Sequence, residues 1–326
     1  MNKDIKTFIK NNQLIKDRET IVLGLSGGPD SIFLLHLLAE YYKKGTIKLI
    51  GAHLDHQWRT DSGKDTEFCK ESCNELNVPF VSATAASLNL NLKKGSKEEQ
   101  GRIMRRYFLE TVAYEHKAQL IALAHHAQDQ QETFFIRLIR GTTLSGLTGM
   151  RPQYGAYIRP LLETNKSDIL KYLDDHKIAY LTDPTNVSDE YLRNRIRKRV
   201  MPALQECDSR FDQNFTRTMY NLQASEQVLE QLTLGTFQQL ASKKNDGYQL
   251  TYKTLLQLHP YLQKRILMFW MIVERVIFTP TDTFLDEIIR FLLQPTSKAH
   301  TLHQTWKLVK TKDTCYIDHT DSDTSL

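Results

Sequence analysis

Ser26-Gly27-Gly28-Pro29-Asp30-Ser31 is the stretch whose residue types are best suited to chemistry. Two adjacent glycines let the backbone approach a ligand closely. Pro29 suits the first turn of a helix, where its missing N–H costs little. The remaining free N–H groups of such a helix start face a phosphate, with the Ser26 and Ser31 hydroxyls beside them. The stretch has neither the Gly-Lys-Ser/Thr of the common P-loop nor a GxGxxG pattern. Without a lysine for the β/γ-phosphates, simple γ-phosphoryl transfer is disfavoured. Asp30 would repel a bare phosphate, so it implies a bridging Mg²⁺. The plain alternative is a glycine-rich turn between strand and helix.

Further polar groups follow at intervals: His53, Asp55 and His56; Arg102, Arg105 and Arg106; then His125, His126, Asp129 and Glu132. Arg193, Arg195, Arg197, Lys198 and Arg199 put five cations in seven residues. Such a run suits phosphate contact with a nucleic acid; a solvated helix face is its plain alternative. Adjacent histidines do not share a helix face, and no HExxH spacing follows, so His125 and His126 do not read as a metal pair. Cys69 and Cys73 lie four apart in a helical pattern. They read as small buried residues, since no second pair completes a zinc site.

These groups need elements to position them. Apolar runs at 21–25, 48–54, 79–81 and 119–124 predict strands. Helical patterns fill the intervals, at about 31–42, 62–76, 97–116 and 128–139. Alternation of this kind predicts an α/β fold, a parallel twisted sheet with helices on both faces. Ligands bind at the carboxyl ends of strands in such sheets, and there the glycine-rich loop, His53–Asp55–His56 and His125–Asp129 all fall. From about residue 214 the pattern changes to long amphipathic helices, such as 214–240. Residues 301–319 alternate like a short β hairpin around Lys312-Asp313. The expected division is 1–214, an ATP-binding catalytic domain, and 215–326, a mainly α-helical accessory domain.

Composition narrows the class. The chain has 326 residues, is 40% hydrophobic and 25% charged, and carries a net +5. That permits a polyanionic partner without demanding one. The apolar run at 266–273 is far shorter than the ~20 residues of a membrane span. The polar start lacks a secretory h-region. Four cysteines are too few for a disulfide scaffold. The expectation is a cytoplasmic protein with no membrane segment; a homodimer is compatible with it.

The loop SGGxDS after a first strand resembles that of the PP-loop ATP pyrophosphatases, which cleave ATP to AMP and pyrophosphate while adenylating a substrate. Within them the chain resembles the tRNA(Ile)-lysidine synthases. The resemblance rests on ordered segments between residues 26 and 197. They are His53-x-Asp55-His56-x-x-Arg59, Arg102-x-x-x-Arg106-Tyr107, Ala124-His125-His126-x-x-Asp129-Gln130-x-Glu132-Thr133, Arg140-Gly141, Gly146-Leu147-x-Gly149-Met150, Arg159-Pro160-Leu161-Leu162, Asp183-Pro184-Thr185-Asn186 and Tyr191-x-Arg193-Asn194-Arg195-Ile196-Arg197.

This resemblance implies ATP and Mg²⁺ as cofactors, and free lysine and tRNA(Ile) with a CAU anticodon as partners. It implies adenylation of C2 of the cytidine at the first anticodon position, then displacement of AMP by the lysine amine. The lysidine formed reads AUA instead of AUG, and charging changes from methionine to isoleucine. It places Ser26 to Ser31 on pyrophosphate, with Asp30 on ATP-bound Mg²⁺. It places His53, Asp55, His56 and His125 near the nucleotide, and Arg102 and Arg106 on the adenylate phosphate. Asp129 and Glu132, three apart on one helix face, would hold the cationic lysine. The cluster Arg193 to Arg199 would hold tRNA. The chain departs from the pattern at Gln128, where many members have an acid, at Thr143 and at Trp58. It reads as a short form with one accessory C-terminal domain. The rivals are a PP-loop tRNA thiolase, which needs reactive cysteines, and a catalytically silent RNA-binding relative.

Overall fold

The computed structural model describes residues 2–90, 92, 96–182, 191–278, 280–295, 298–303 and 305–319. It falls into two compact units, Met1–Leu222 and Gln223–Leu326. The first opens with α1 (Asn2–Asn11), β1 (Thr20–Leu25), α2 (Pro29–Lys43), β2 (Lys48–Asp55), α3 (Gly63–Glu75) and β3 (Phe80–Thr84). It continues with α4 (Lys97–Glu115), β4 (Leu120–Ala122), α5 (Ala127–Arg140), α6 (Leu144–Leu147), β5 (Gln153–Tyr154), β6 (Tyr157–Ile158) and α7 (Lys166–Asp175). After the segment 183–190, α8 (Leu192–Arg195) runs through a π-helical turn (Ile196–Val200) into α9 (Met201–Cys207). The expected segment Asp183-Pro184-Thr185-Asn186 lies outside the described residues.

Among the described residues the sheet has the strand order β3-β2-β1-β4-β6-β5. All neighbours are parallel except the edge pair β5–β6. The chain moves outward from β1 through β2 to β3, then returns to the other side of β1 for β4. The reversal between β1 and β4 opens a crevice at their carboxyl ends. The loops 26–28 and 123–126 leave the sheet there.

Side-chain alternation explains why helices cover both faces. Ile21, Leu23 and Leu25 of β1 pack on one face with Ile32, Leu35 and Leu38 of α2 and with Cys69 and Cys73 of α3. Val22 faces the other way, onto Phe108, Leu109 and Val112 of α4. A side-chain carbon on Gly51 would come within 2.5 Å of the Cys73 sulfur. The cysteine pair is therefore core filling. Burial pushes both thiols up to about 12, far from the thiolate a metal requires. Ser96 caps α4 by accepting from the Glu99 N–H at 3.2 Å.

Helix α10 (Phe211–Leu240) leads into the second unit. There β7 (Ala241–Lys244) and β8 (Gly247–Leu250) form a hairpin. Then come α11 (Tyr252–Leu255), α12 (Pro260–Val273), α13 (Asp282–Leu293), β9 (Ala299–His303), β10 (Trp306–Lys310) and β11 (Cys315–His319). The expected terminal hairpin is real as β10–β11, but it lies inside an antiparallel sheet of order β7-β8-β11-β10-β9. Helices and sheet close over Trp270, which is fully buried with Ile266, Leu267 and Ile288. Lys310 is buried and donates to the carbonyls of Phe291, Leu292 and Gln294, so its ammonium caps the end of α13.

Candidate functional site

The glycine-rich loop is shaped by backbone constraints. Gly27 has φ +77°, a region open mainly to glycine. A side-chain carbon there would lie 2.6 Å from Leu181 Cδ1. The Leu181 N–H donates to the Gly27 carbonyl at 2.9 Å, holding the turn from outside. The Ser31 hydroxyl donates to the Gly28 carbonyl at 2.9 Å and lies 3.2 Å from Ser26 Oγ. Helix α2 starts at Pro29 with no side chain capping its N-terminus. Gly27→Ala is expected to cost about 1–3 kcal/mol, from strain at positive φ and the clash with Leu181. Urea unfolding reads this; a loss below about 0.5 kcal/mol would contradict it.

Asp30, the second residue of α2, is already engaged. Lys166 Nζ lies 2.6 Å from each of its carboxylate oxygens. Nothing local in the sequence pairs residues 136 apart, so this lysine escaped sequence analysis. Lys166 opens α7, and its backbone N–H donates to Gln128 Oε1 at 2.9 Å. Gln128 Nε2 donates to Asn165 Oδ1 at 3.3 Å. The departure at 128 thus joins the start of α5 to the start of α7.

Asp129 faces the same crevice. Its Oδ2 accepts from the His126 N–H at 3.0 Å, which closes the first turn of α5. His126 Nε2 lies 3.5 Å from Asp129 and 3.7 Å from Asp30, so one imidazole separates the two carboxylates. Burial alone would push the Asp129 carboxyl up. The neighbouring imidazoles of His126 and His125, the His126 backbone N–H and Arg193 outweigh it and hold the group below its ordinary value. Asp129 is therefore ionised at neutral pH.

Glu132 is on the same face of α5 but is fully enclosed. Arg197 Nε and Nη2 donate to it at 2.6 and 3.1 Å, and Arg193 Nε lies 3.4 Å away. Burial pushes its carboxyl up, against the pull of Arg197. Asp129 side-chain exposure is 18%, against 1% for Glu132, so only Asp129 keeps an edge for a ligand. The basic run divides accordingly. Arg193 and Arg197, four apart and flanking buried Ile196, turn inward to Glu132. Arg195, Lys198 and Arg199 stay on the exposed side.

Burial disfavours the charged forms of His53, His56 and His125. His53 Nδ1 lies 3.1 Å from the Leu25 carbonyl, which leaves Nε2 buried without a partner. Burial brings His56 and His125 down to about 4. His56, His125 and His126 each have a buried Nδ1 without a partner. Asp55 accepts from the Gln57 N–H at 2.7 Å and so supports a turn. His56 stacks on Trp58, with ring centroids 4.5 Å apart. Of the α4 arginines, Arg105 is the one that reaches this turn, 3.2 Å from His56 Nε2. Arg106 is committed to Glu110 at 2.9 Å and lies over Tyr157, and Arg102 is exposed. One residue shifts a helix face by about 100°, which separates Arg105 from Arg106.

Other ordered segments serve as braces. Gln130 exchanges hydrogen bonds with the Met150 backbone at 2.7 and 2.8 Å, and Gly149 lets the two approach. Arg137 donates to the Gly146 and Gly149 carbonyls. No group of three metal-ligating side chains occurs among the described residues. A Mg²⁺ that arrives on phosphate oxygens needs only one or two protein carboxylates. Asp30, on the first turn of α2 beside the loop, fits that demand.

A PP-loop domain model matches residues 1–204. A protein of Bacillus anthracis named tRNA(Ile)-lysidine synthase is 31% identical over 302 residues, 88% of this chain and 62% of its own. The Bacillus subtilis protein of that name is 34% identical over 270 residues, covering 81% and 57%. That of Clostridium acetobutylicum is 41% identical over 207 residues, covering 63% and 45%. The chain spans about three fifths of the length of the Bacillus relatives. Among solved structures, the U34-tRNA thiolase NcsA from Methanococcus maripaludis with its [4Fe-4S] cluster aligns with a TM-score of 0.57 at 20% identity. It covers 68% of this chain and 78% of that one, a likeness of fold. No helix among the described residues is long and apolar enough to cross a membrane.

Proposed function

The chain belongs to the PP-loop domain family, and from that premise we propose that it is an ATP-dependent ligase joining lysine to a cytidine of tRNA(Ile). The observation that carries the reading is the crevice where the SGGPDS loop meets Asp129, the one α5 carboxylate left open to a ligand. The name shared by relatives at 31–41% identity supports it.

The C2 carbonyl oxygen of the cytidine at the first anticodon position attacks the α-phosphorus of ATP, and pyrophosphate leaves. The lysine ε-amine then attacks C2, and AMP leaves. When bound, Mg²⁺ offsets the phosphate charge. Asp30 would hold it, and the uncapped N-terminus of α2 would face the anion. Asp129 holds the lysine ammonium by charge-assisted hydrogen bonds. An amine of ordinary pKa ~10.4 must lose a proton before it attacks. Asp129, 3.5 Å from His126 Nε2, is the acceptor at hand. Glu132 acts at one remove by fixing Arg193 and Arg197 beside Asp129. His53 and His125, with unpartnered ring nitrogens, offer neutral contacts to the nucleotide.

Release of AMP from ATP tests the reading. It is expected only when both lysine and a tRNA(Ile) transcript bearing CAU are present. Release that ignores lysine would overturn the ligase reading. The thiolase alternative is disfavoured because Cys69 and Cys73 are fully buried thiols in the core.

The exposed cations Arg195, Lys198 and Arg199 are the tRNA-facing part of the basic run. Arg195→Glu with Arg199→Glu is expected to weaken tRNA binding. The slope of log K against log salt should flatten by about 1.5–2, for two lost phosphate contacts. An unchanged slope would place the RNA elsewhere.

A further inference from the structure

The loop 26–31 contains no lysine, yet an ammonium sits on it. Lys166 Nζ is equidistant, 2.6 Å, from both oxygens of Asp30. Asp30 is in the first turn of α2, so this ammonium stands at the positive end of the helix dipole. A cation there is disfavoured unless an anion shares the place. Asp30 supplies one now. Both side chains are partly open, at 31% and 25% exposure. The lysine backbone is fixed, while its side chain lies partly open to solvent. Gln128 accepts its N–H, and Gln128 also donates to Asn165, the residue before α7. A four-carbon stem on an anchored Cα can swing between Asp30 and a phosphate group beside it.

We propose that Lys166 is the phosphate-binding cation of the ATP site, supplied from α7 and held on Asp30 until the nucleotide arrives. The inference rests on the ATP-cleaving reading above. It explains why an acid and a lysine are placed together where phosphates bind. With Mg²⁺·ATP bound, Asp30 faces the cation and Lys166 turns to the β/γ-phosphate oxygens. One ion pair is exchanged for two favourable contacts, and no buried charge is left alone. It also gives Gln128 a task. The residue that departs from the acidic pattern positions the lysine rather than a metal.

The test compares binding of Mg²⁺·ATP and of adenosine, which lacks phosphates, by calorimetry on the full chain. Wild type should bind both. Lys166→Ala should weaken Mg²⁺·ATP about 10-fold or more, the loss of one charge-assisted contact. Adenosine binding should stay within about twofold, since the helix dipole and Lys166 act on phosphate alone. Lys166→Arg, which keeps the charge, should recover most of the ATP affinity. Unchanged ATP binding in Lys166→Ala would overturn the proposal. So would an equal loss for ATP and adenosine, which would mark Lys166 as a purely structural tie between α7 and the loop. Wild type that binds adenosine but not ATP would sink the ATP-cleaving reading itself, and this proposal with it.

Discussion

Asp129→Asn is expected to lower lysine-dependent turnover by about 10²-fold or more while leaving ATP binding within a factor of two. The substitution keeps an oxygen to accept the His126 N–H, so the first turn of α5 should survive. What it removes is a charge that surrounding groups hold ionised. The lysine ammonium then loses its counter-ion and the amine its nearest proton acceptor. The loss should appear in both KM and kcat for lysine. Single-turnover experiments at saturating ATP read this directly. Normal lysine kinetics would place the ammonium elsewhere, and Glu132, closed off by two arginines, could not take its place without moving Arg197.

Arg197→Met has the second largest expected effect, and it is one of stability. Glu132 is fully buried, and Arg197 makes its two short contacts. Removing one partner of a buried pair typically costs ~3–5 kcal/mol, because the remaining charge is left without compensation. Arg193, still 3.4 Å away, puts the expected loss near the lower end, about 3 kcal/mol. The pH dependence has a definite sign. Burial already raises the Glu132 carboxyl, and Arg197 opposes that rise. Without Arg197 the folded pKa climbs further above the unfolded one. Such a group favours folding below its unfolded pKa, and that contribution is lost as pH rises through the folded value. Urea unfolding should therefore show the variant closest to wild type in mild acid and furthest from it above neutrality. Arg197→Met with Glu132→Gln should recover much of the loss, as neutral replacements of buried pairs do. A single-variant cost below about 1 kcal/mol, or no recovery in the double variant, would refute this account of the pair.

The sheet was legible because buried parallel strands are continuous apolar runs, as at 21–25 and 48–54. Their polar ends then mark the crevice without further information. The pairing of side chains within the crevice was less legible. Glu132 and Asp129 look alike in sequence, three residues apart on one helix. Only the arrival of Arg193 and Arg197 from α8 and the π-helical turn distinguishes a closed carboxylate from an open one. The five cations gave a hint in retrospect. Arg193, Ile196 and Arg197 share the i, i+3, i+4 spacing of one helix face, and an isoleucine on that face belongs inside. Lys166 gave none, since its partner lies 136 residues away and it follows an ordinary Asn helix start. In the second unit, β7 and β8 are short and partly polar, so only the final alternation at 301–319 stood out. Trp58 shows a different limit. Its stacking on His56 depends on Gly101, where a side-chain carbon would lie 2.6 Å from the indole.

The central claim is transfer of lysine to one cytidine, and incorporation of radiolabelled lysine tests it most directly. The assay uses the full chain, Mg²⁺·ATP and an in-vitro transcript of tRNA(Ile) with CAU. A matched transcript with uridine at the first anticodon position is the control. The account predicts label in the CAU transcript alone, released as lysidine on nuclease digestion. Label in both transcripts, or in neither while ATP is still cleaved to AMP, would contradict it and assign the adenylating loop to another nucleophile or another RNA.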